Sequence, residues 1–98
     1  MSANITITKV NPTMSQNIID FIDEYCFDIT DCGDLRLMPH VTPNFLVKEI
    51  SNLFKEYSFS EDAFAITSDT LSEHSSLISI AWWEFNKVQL MTLLWEED

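Results

Sequence analysis

Histidine, cysteine and serine are the residue types of this chain that could carry out nucleophilic or acid–base chemistry, and no motif joins them. A nucleophile needs a general base within hydrogen-bond reach, and a third group orients that base. His40 lies between Pro39 and Val41, whereas His74 lies in the polar run Glu-His-Ser-Ser, so both histidines are predicted in loops. Cys32 stands in no recognised nucleophile motif. The sequence therefore predicts a protein that is not an enzyme.

The segment that begins at Asp28 resembles a calcium-binding loop only in part. Gly33 falls at the sixth position counted from Asp28, as in an EF-hand loop, but Cys32 occupies the fifth position and Pro39 the twelfth. Cys26 and Cys32 lack the further Cys or His ligands of a zinc site, and the single glycine excludes glycine-rich phosphate loops. Neither a metal nor a cofactor is expected. The two cysteines are predicted to be reduced thiols of a cytoplasmic protein.

The charge balance is strongly acidic. Sixteen Asp and Glu residues face five Lys and Arg residues, for a formal net charge of −11. A small soluble domain typically has a net charge of about 2 to 8 in magnitude, and a larger imbalance costs stability through self-repulsion. Nucleic acid and anionic membranes would repel this chain, so neither is expected as a direct partner. The expected partner is a basic protein; the alternative is an acidic surface that serves only solubility.

Carboxylates are concentrated on one side of the first predicted helix, at Asp20, Asp23, Glu24, Asp28 and Asp31, with Asp34 just beyond. At a rise of about 1.5 Å per residue, the helical part would span about 16 Å. No Lys or Arg occurs between Asp20 and Asp34. Phe27 is predicted near the middle of this acidic arc, as the apolar anchor inside the charged rim of a protein-binding site. The alternatives are a solvated helix face and a Phe27 ring that folds back onto the core.

Hydrophobic periodicity predicts a strand and then a helix at the start of the chain. Residues 5–10 alternate β-branched side chains at a period of two, as a half-buried strand does. Thr13 and Gln16 have the spacing of a capping box, and apolar residues at helical spacing follow as far as Ile29. The first helix is therefore predicted to continue through Ile29.

The middle of the chain is predicted to hold a second helix and a further strand. Residues 30–41 are expected to form a connection, and Thr42-Pro43 is typical of a helix start. The apolar stripe of this second helix continues to about Tyr57. Residues 63–67 have strand character, and residues 68–76 are predicted as a polar loop.

The last quarter of the chain is the most apolar, and it is predicted to form a β-hairpin. Residues 77–85 and 88–95 flank Asn86-Lys87, the expected turn, although a helix over residues 85–95 is a rival interpretation. In a strand, the adjacent Trp82 and Trp83 must point to opposite faces, and Phe85 would share the face of Trp83. If helices cover the other face, Trp83 and Phe85 form an exposed apolar patch that needs a partner or a second subunit. The alternative is that the predicted polar loop over residues 68–76, or the acidic tail at residues 96–98, covers this patch.

These elements predict one α+β domain over residues 1–98, in the order β-α-α-β-β-β. Two helices would pack on one face of a small, mostly antiparallel sheet of about four strands. No apolar run approaches the length of about 20 residues that a membrane span needs, and no basic segment typical of a secretory signal opens the chain.

In size, charge and aromatic content, the chain resembles the small acidic immunity proteins that neutralise nuclease toxins in colicin and contact-dependent inhibition systems. It is also similar in style to phage-encoded inhibitors that mimic nucleic acid. The stretches that support the resemblance are residues 20–34 and the Trp82-Trp83 pair. The resemblance implies an antidote that occludes the substrate cleft of a basic toxin and performs no reaction.

We accordingly predict a partner-binding site composed of Asp20, Asp23, Glu24, Phe27, Asp28, Asp31, Asp34, Trp83 and Phe85. An inhibitor of a host defence complex would use the same acidic surface. A hypothesis from a different class is a non-catalytic homodimer, a structural subunit or adaptor, whose two copies meet through Trp83 and Phe85.

Overall fold

The computed structural model describes residues 3–8, 12–24, 26–29, 35–37 and 41–97, with side chains described for residues 14–22, 24 and 41–97. These residues form two α-helices, a short 3-10 helix and six strands. In chain order the elements are β1 (Ala3–Thr8), α1 (Pro12–Asp23), β2 (Cys26–Ile29), β3 (Leu35–Leu37), α2 (Pro43–Glu56), the 3-10 helix (Glu61–Ala63), β4 (Phe64–Ser72), β5 (Ser75–Glu84) and β6 (Lys87–Glu97). None of the helices within the described ranges has the length and apolar character needed to cross a membrane.

The strands form one sheet in the order β2-β3-β1-β6-β5-β4, and every neighbouring pair is antiparallel. β1 lies between β3 and β6, so the first strand of the chain pairs with the last. The three C-terminal strands follow one another as a meander, which leaves β4 at one edge of the sheet.

Alternation of side chains along β5 and β6 determines which face of the sheet is buried. Ile78 and Ile80 of β5 are directly opposite Leu93 and Met91 of β6, and these side chains are buried. The intervening residues point to the other face, because successive residues of a strand face opposite sides. The buried members belong to the same core cluster as residues of both helices, so α1 and α2 lie over the same face of the sheet.

Helix α2 begins and ends where its terminal residues favour it. The Thr42 side-chain oxygen accepts a hydrogen bond from the Phe45 amide at 3.2 Å, and Pro43 follows as the first helical residue. At the other end, Ser58 has a φ of 68°. The Ser58 amide donates to the Lys55 carbonyl at 3.0 Å, and the Phe59 amide donates to the Phe54 carbonyl, also at 3.0 Å. This pair of bonds is a Schellman motif.

An aromatic cluster joins α2 to the sheet. The Phe54 ring stacks on Phe64 at a centroid distance of 4.9 Å and meets the edge of Phe59 at 5.2 Å. Trp82 lies 5.8 Å from the same ring. At the other end of the core, the indole N–H of Trp95 donates a buried hydrogen bond of 3.0 Å to the Val41 carbonyl. The Trp95 side chain therefore also satisfies the backbone carbonyl of Val41, which lies just before α2 and outside the helix.

The α+β class, with two helices and an antiparallel sheet, is confirmed, and the second helix lies where the sequence predicts it. The predicted order of elements is wrong, because β2 and β3 lie between the two helices. The residues predicted as a loop, 68–76, belong mostly to β4 and β5, with Glu73 and His74 in the turn. The rival helix over residues 85–95 is also wrong, since this segment contains most of β6.

The prediction that the first helix continues to Ile29 is wrong. Helix α1 ends at Asp23, and the Glu24 amide closes its last turn by donating to the carbonyls of Asp20 and Phe21 at 3.3 and 3.2 Å. Residues 26–29 instead form β2, which pairs with β3. A longer helix would place Glu24 and Asp28 four residues apart, where like charges repel, whereas a strand gains backbone pairing. Apolar spacing alone does not distinguish these outcomes over so short a segment.

Candidate protein-binding surface

The face of the sheet that the helices leave uncovered bears an apolar patch. Trp83, Val88 and Leu90 are 54%, 57% and 56% exposed, and we call these three residues the open-face patch. Trp83 lies directly opposite Val88, and Leu90 is opposite Ala81, which is the next pair on the same face. Isolated exposed apolar residues are common, but a contiguous group that includes tryptophan is typical of an interaction surface.

Two hollows adjoin the open-face patch. The first has a volume of about 230 Å³ and is lined by Asp62, Ala63, Phe64, Ala65, Ala81, Trp82, Trp83 and Val88. The second has a volume of about 320 Å³ and is lined by Ala65, Thr67, Ser79, Ile80, Ala81, Leu90, Met91 and Thr92. Both hollows include Ala65 and Ala81, which face each other across β4 and β5. Small side chains at these positions leave depressions beside the larger Trp83 and Leu90.

The hairpin that carries the patch turns at Phe85-Asn86, so the predicted turn at Asn86-Lys87 is wrong. Glu84 pairs with Lys87 in register, and Phe85 and Asn86 have φ values of 57° and 60°. Positive φ at both central residues is the requirement of a type I′ turn, which suits the twist of a hairpin. Phenylalanine rarely adopts this conformation. The side chain of Phe85 is nevertheless 62% exposed.

Two side-chain hydrogen bonds hold the end of this hairpin. The Gln89 amide nitrogen donates to the Glu84 carbonyl at 2.9 Å, and the Trp82 indole N–H donates to the Glu84 carboxylate at 3.3 Å. Gln89 is buried although it is polar. The backbone that presents Phe85 is therefore fixed from the helix-covered side of the sheet.

The sequence predicted that Phe85 shares the strand face of Trp83. This prediction is wrong, because Phe85 lies in the turn itself. Trp83, in contrast, is exposed on the open face as expected, while its neighbour Trp82 is 1% exposed. Val88 and Leu90 were not among the predicted site residues. Cross-strand pairing indicates them, because Val88 is paired with Trp83 and Leu90 with Ala81 on the open face.

The open face also carries carboxylates. Asp62 lines the first hollow. Asp69 and Glu96 are exposed and lie opposite Leu77 and Ser75, respectively, further along the same face. Among the described side chains the lysines lie elsewhere: Lys48 and Lys55 on α2 and Lys87 beside the hairpin turn. Asp62 thus lies beside the open-face patch, whereas Asp69 and Glu96 are about 20 Å or more from Trp83, at about 3.3 Å per residue along β5.

The acidic residues predicted on a single helix face are divided between elements. Asp20, Asp23 and Glu24 lie at the C-terminal end of α1, whereas Phe27 and Asp28 lie in β2. Asp31 and Asp34, like Cys32 and His40, are outside the described residues, and so are the side chains of Asp23, Phe27 and Asp28. A continuous acidic helix with Phe27 at its centre is therefore wrong.

Two of the predicted carboxylates instead contribute to a groove between the helices. This groove has a volume of about 360 Å³ and is lined by Asn17, Asp20, Phe21, Glu24, Leu53, Glu56 and Tyr57. Glu56 and Tyr57 belong to the end of α2 and were missed, because sequence spacing does not show which ends of two helices meet. The neighbouring Lys55 extends its ammonium group to Glu61, at 3.5 Å. We call this feature the acidic groove.

Within the described residues, no group of three or more His, Cys, Asp and Glu side chains has an arrangement that could hold a metal ion. His74 is exposed in the turn between β4 and β5, 3.9 Å from the carboxylate of Glu73. Ser72 and Ser75 share a hydrogen bond of 2.8 Å beside it.

Comparison with models of protein families, with curated proteins and with solved structures found no match for this chain.

Proposed function

We propose that this chain is a non-catalytic antidote that binds a basic protein, a nuclease toxin in the first instance, and blocks the cleft through which that protein binds its substrate. The observation that supports the proposal is the open-face patch: apolar side chains exposed on an uncovered sheet face in a chain of net charge −11. Binding alone would neutralise such a toxin.

The net charge favours a basic partner. At physiological ionic strength the screening length is about 8 Å, so an acidic surface attracts a basic one before the two touch. Attraction of this kind raises association rates and suppresses binding to acidic competitors. Proteins that act on nucleic acid have basic clefts, since the cleft must neutralise phosphates. An acidic protein seated in that cleft excludes the substrate.

Charge alone does not make a complex long-lived. The open-face patch supplies the additional binding energy that a long-lived complex needs. Apolar anchors at the centre of an interface, tryptophan above all, account for most of the binding energy of many complexes. Polar and charged groups around the anchor exclude water and select the partner. Trp83 has this position relative to Asp62, which lines the same hollow, and the strained turn presents Phe85 beside it.

The proposal is tested by isolating the partner and by measuring inhibition. Immobilised protein should retain a basic nuclease from cells of the source organism at low salt, and added protein should inhibit the purified nuclease in proportion to complex formed. Trp83→Ser should weaken both the retention of the nuclease and its inhibition at least tenfold. Leu71→Ser is the matched control, because Leu71 is exposed to a similar extent on β4. Retention of acidic proteins only, or inhibition that ignores Trp83→Ser, would contradict the proposal.

A homodimeric subunit or adaptor is the second candidate, favoured by the same exposed Trp83, Val88 and Leu90. Two copies that meet through this patch would bury it without any other partner. Light scattering separates the candidates. A stable dimer that persists at high salt and dissociates in Trp83→Ser supports the subunit, whereas a monomer supports the antidote.

A further inference from the structure

Strand β4 leaves one edge of the sheet unpaired within the described residues. It has 9 residues, and its only neighbour in the strand order is β5. An edge strand of this kind presents a row of backbone N–H and C=O groups that another chain can join.

The hairpin turn determines which amides point outward. A hairpin with two turn residues closes on a hydrogen-bonded pair, here Glu84 and Lys87. Alternation from that pair directs the even-numbered residues of β5 toward β6 and the odd-numbered ones toward β4. Ala65 and Thr67, the partners of Ala81 and Ser79, thus bond inward. Their neighbours Phe64, Ile66 and Ser68 direct their backbone groups to the free edge.

The free edge lacks the features that usually prevent pairing. Natural proteins protect edge strands with proline, lysine, bulges or a covering segment. Residues 64–69 contain neither proline nor lysine, and the irregularity in β4 occurs later, between Thr70 and Ser72. Among the described residues, no backbone hydrogen bond from outside the strands reaches Ile66 or Ser68. The regular part of this edge is about 20 Å long, at about 3.3 Å per residue.

The surroundings of the free edge are acidic. Glu61 and Asp62 precede β4, Asp69 lies within it, and Glu73 follows it. Lys55 lies 3.5 Å from Glu61, and the side chains of Glu61 and Glu73 remain largely exposed. An incoming strand would therefore meet carboxylates near both of its ends, which favours a positively charged segment.

The two hollows lie where alternate side chains of an added strand would project. A strand paired with β4 lies about 4.8 Å from it, so its open-face side chains stand beside Ala65 and Thr67. Both hollows border Ala65, and the first also contains Asp62 and Trp83. An arginine side chain is long enough to enter that hollow, where its guanidinium would pair with Asp62 and stack on the Trp83 ring.

We propose that β4 receives an extended, arginine-containing segment of the basic partner as an additional strand. The inference rests on the proposed function, because the segment belongs to the protein that the antidote neutralises. Backbone pairing along Phe64, Ile66 and Ser68 supplies affinity, and the hollows select side chains at every second position. The open-face patch and the free edge then form one continuous interface.

The test uses an eight-residue synthetic peptide in which arginine alternates with valine, together with two N-methylated versions. One version is methylated at every valine nitrogen and the other at every arginine nitrogen. Only one set of amides can face β4, whichever way the peptide runs, so one version should bind like the parent and the other at least tenfold more weakly. Equal binding of both versions, or no binding of the parent, would overturn the proposal.

A backbone substitution in the protein gives an independent readout. Ser68→Pro removes one outward amide and leaves the bonds between β4 and β5 in place, and proline is tolerated on edge strands. It should weaken parent-peptide binding at least fivefold, whereas Ser68→Thr should not. Amide NMR spectra verify the fold of both variants and should show the peptide shifting Ile66 and Ser68. Shifts confined to the acidic groove would overturn the proposal.

The two proposals fail in different ways. If a basic nuclease is captured and inhibited equally well by the Ser68→Pro variant, the free edge is not used and the antidote function stands. If the peptide binds as described but no basic partner is retained, the edge is a binding site and the antidote function fails. Protection of the Ile66 and Ser68 amides in a dimer of the purified protein would assign the edge to a second copy and overturn this inference.

Discussion

Trp82 and Trp83 are consecutive residues of β5, and the sheet separates their environments completely: Trp82 is 1% exposed and contacts the Phe54 ring, whereas Trp83 is 54% exposed on the opposite face. One residue type thus serves the core and the candidate interface at adjacent positions. The same substitution can therefore be made at both positions, where it affects the core at Trp82 and the candidate interface at Trp83.

Trp82→Ala should lower the free energy of unfolding by about 3–5 kcal/mol, because it removes a large ring from the core and leaves a cavity. Trp83→Ala should change it by less than about 0.5 kcal/mol, as expected for an exposed position. Urea unfolding followed by circular dichroism measures both. A large loss for Trp83→Ala would mean that its ring is covered within the folded chain.

Replacing Phe85 should stabilise the hairpin. A bulky residue with positive φ costs about 1–3 kcal/mol, and asparagine adopts this conformation more readily. Phe85→Asn should therefore raise the free energy of unfolding by about 0.5–1 kcal/mol. Leu90→Asn, at an exposed position within β6, is the control and should give no such gain. If Phe85 also contacts the partner, the stabilised variant should bind it more weakly.

The end of α2 allows a similar test, in which two serines that differ in backbone conformation receive the same substitution. Ser58 has a φ of 68°, whereas Ser60 has a φ of −72°. Ser58→Gly should stabilise the protein by about 0.5–1 kcal/mol, since glycine is the preferred residue at this position of a Schellman motif. Ser60→Gly should not stabilise it. Thermal unfolding of the two variants would reveal the difference, and equal effects would contradict the assignment of the motif.

The hydrogen bond between the Trp95 indole and the Val41 carbonyl should contribute to stability. Trp95→Phe retains an aromatic ring but leaves a buried carbonyl without this donor, which costs about 1–3 kcal/mol. Trp83→Phe removes an exposed indole and serves as the control. Urea unfolding should therefore show a clear loss for the first variant only.

Local sequence signals were sufficient where one element is determined by its own residues. The start of α2 follows from Thr42 and Pro43, and the opposite placement of Trp82 and Trp83 follows from the period of a strand. The end of α1 could not be predicted from the sequence, because the apolar spacing of residues 26–29 suits either a helix or a strand. Their pairing with β3 is a tertiary outcome that the local pattern does not contain.

The candidate site was predicted less well than the fold, for the same reason. Trp83 was identified from alternation within β5. The acidic groove could not be identified from the sequence, since Glu24 and Glu56 are far apart in it. They meet only because the ends of the two helices lie together. Val88 and Leu90 were missed because only residues of the first hairpin strand were assigned to faces, whereas cross-strand pairing also places Val88 and Leu90 on the face of Trp83.

Charge variants should show which acidic surface meets the partner. Asp62→Asn, Asp69→Asn and Glu96→Gln together neutralise carboxylates of the open face. Their effect is to be compared with that of a second triple variant in the acidic groove, Asp20→Asn, Glu24→Gln and Glu56→Gln. Both triples remove the same amount of charge, so a general effect of net charge would slow association equally in the two.

If the open face is the interface, its triple variant should slow association with the basic partner at least tenfold at low salt, and the groove variant should slow it less. Local potential next to the docking surface governs steering, and added salt should reduce the difference because it screens that potential. Stopped-flow measurements over a range of salt concentrations provide the rates. A larger effect of the groove variant would transfer the interface to the helices and contradict the placement on the sheet.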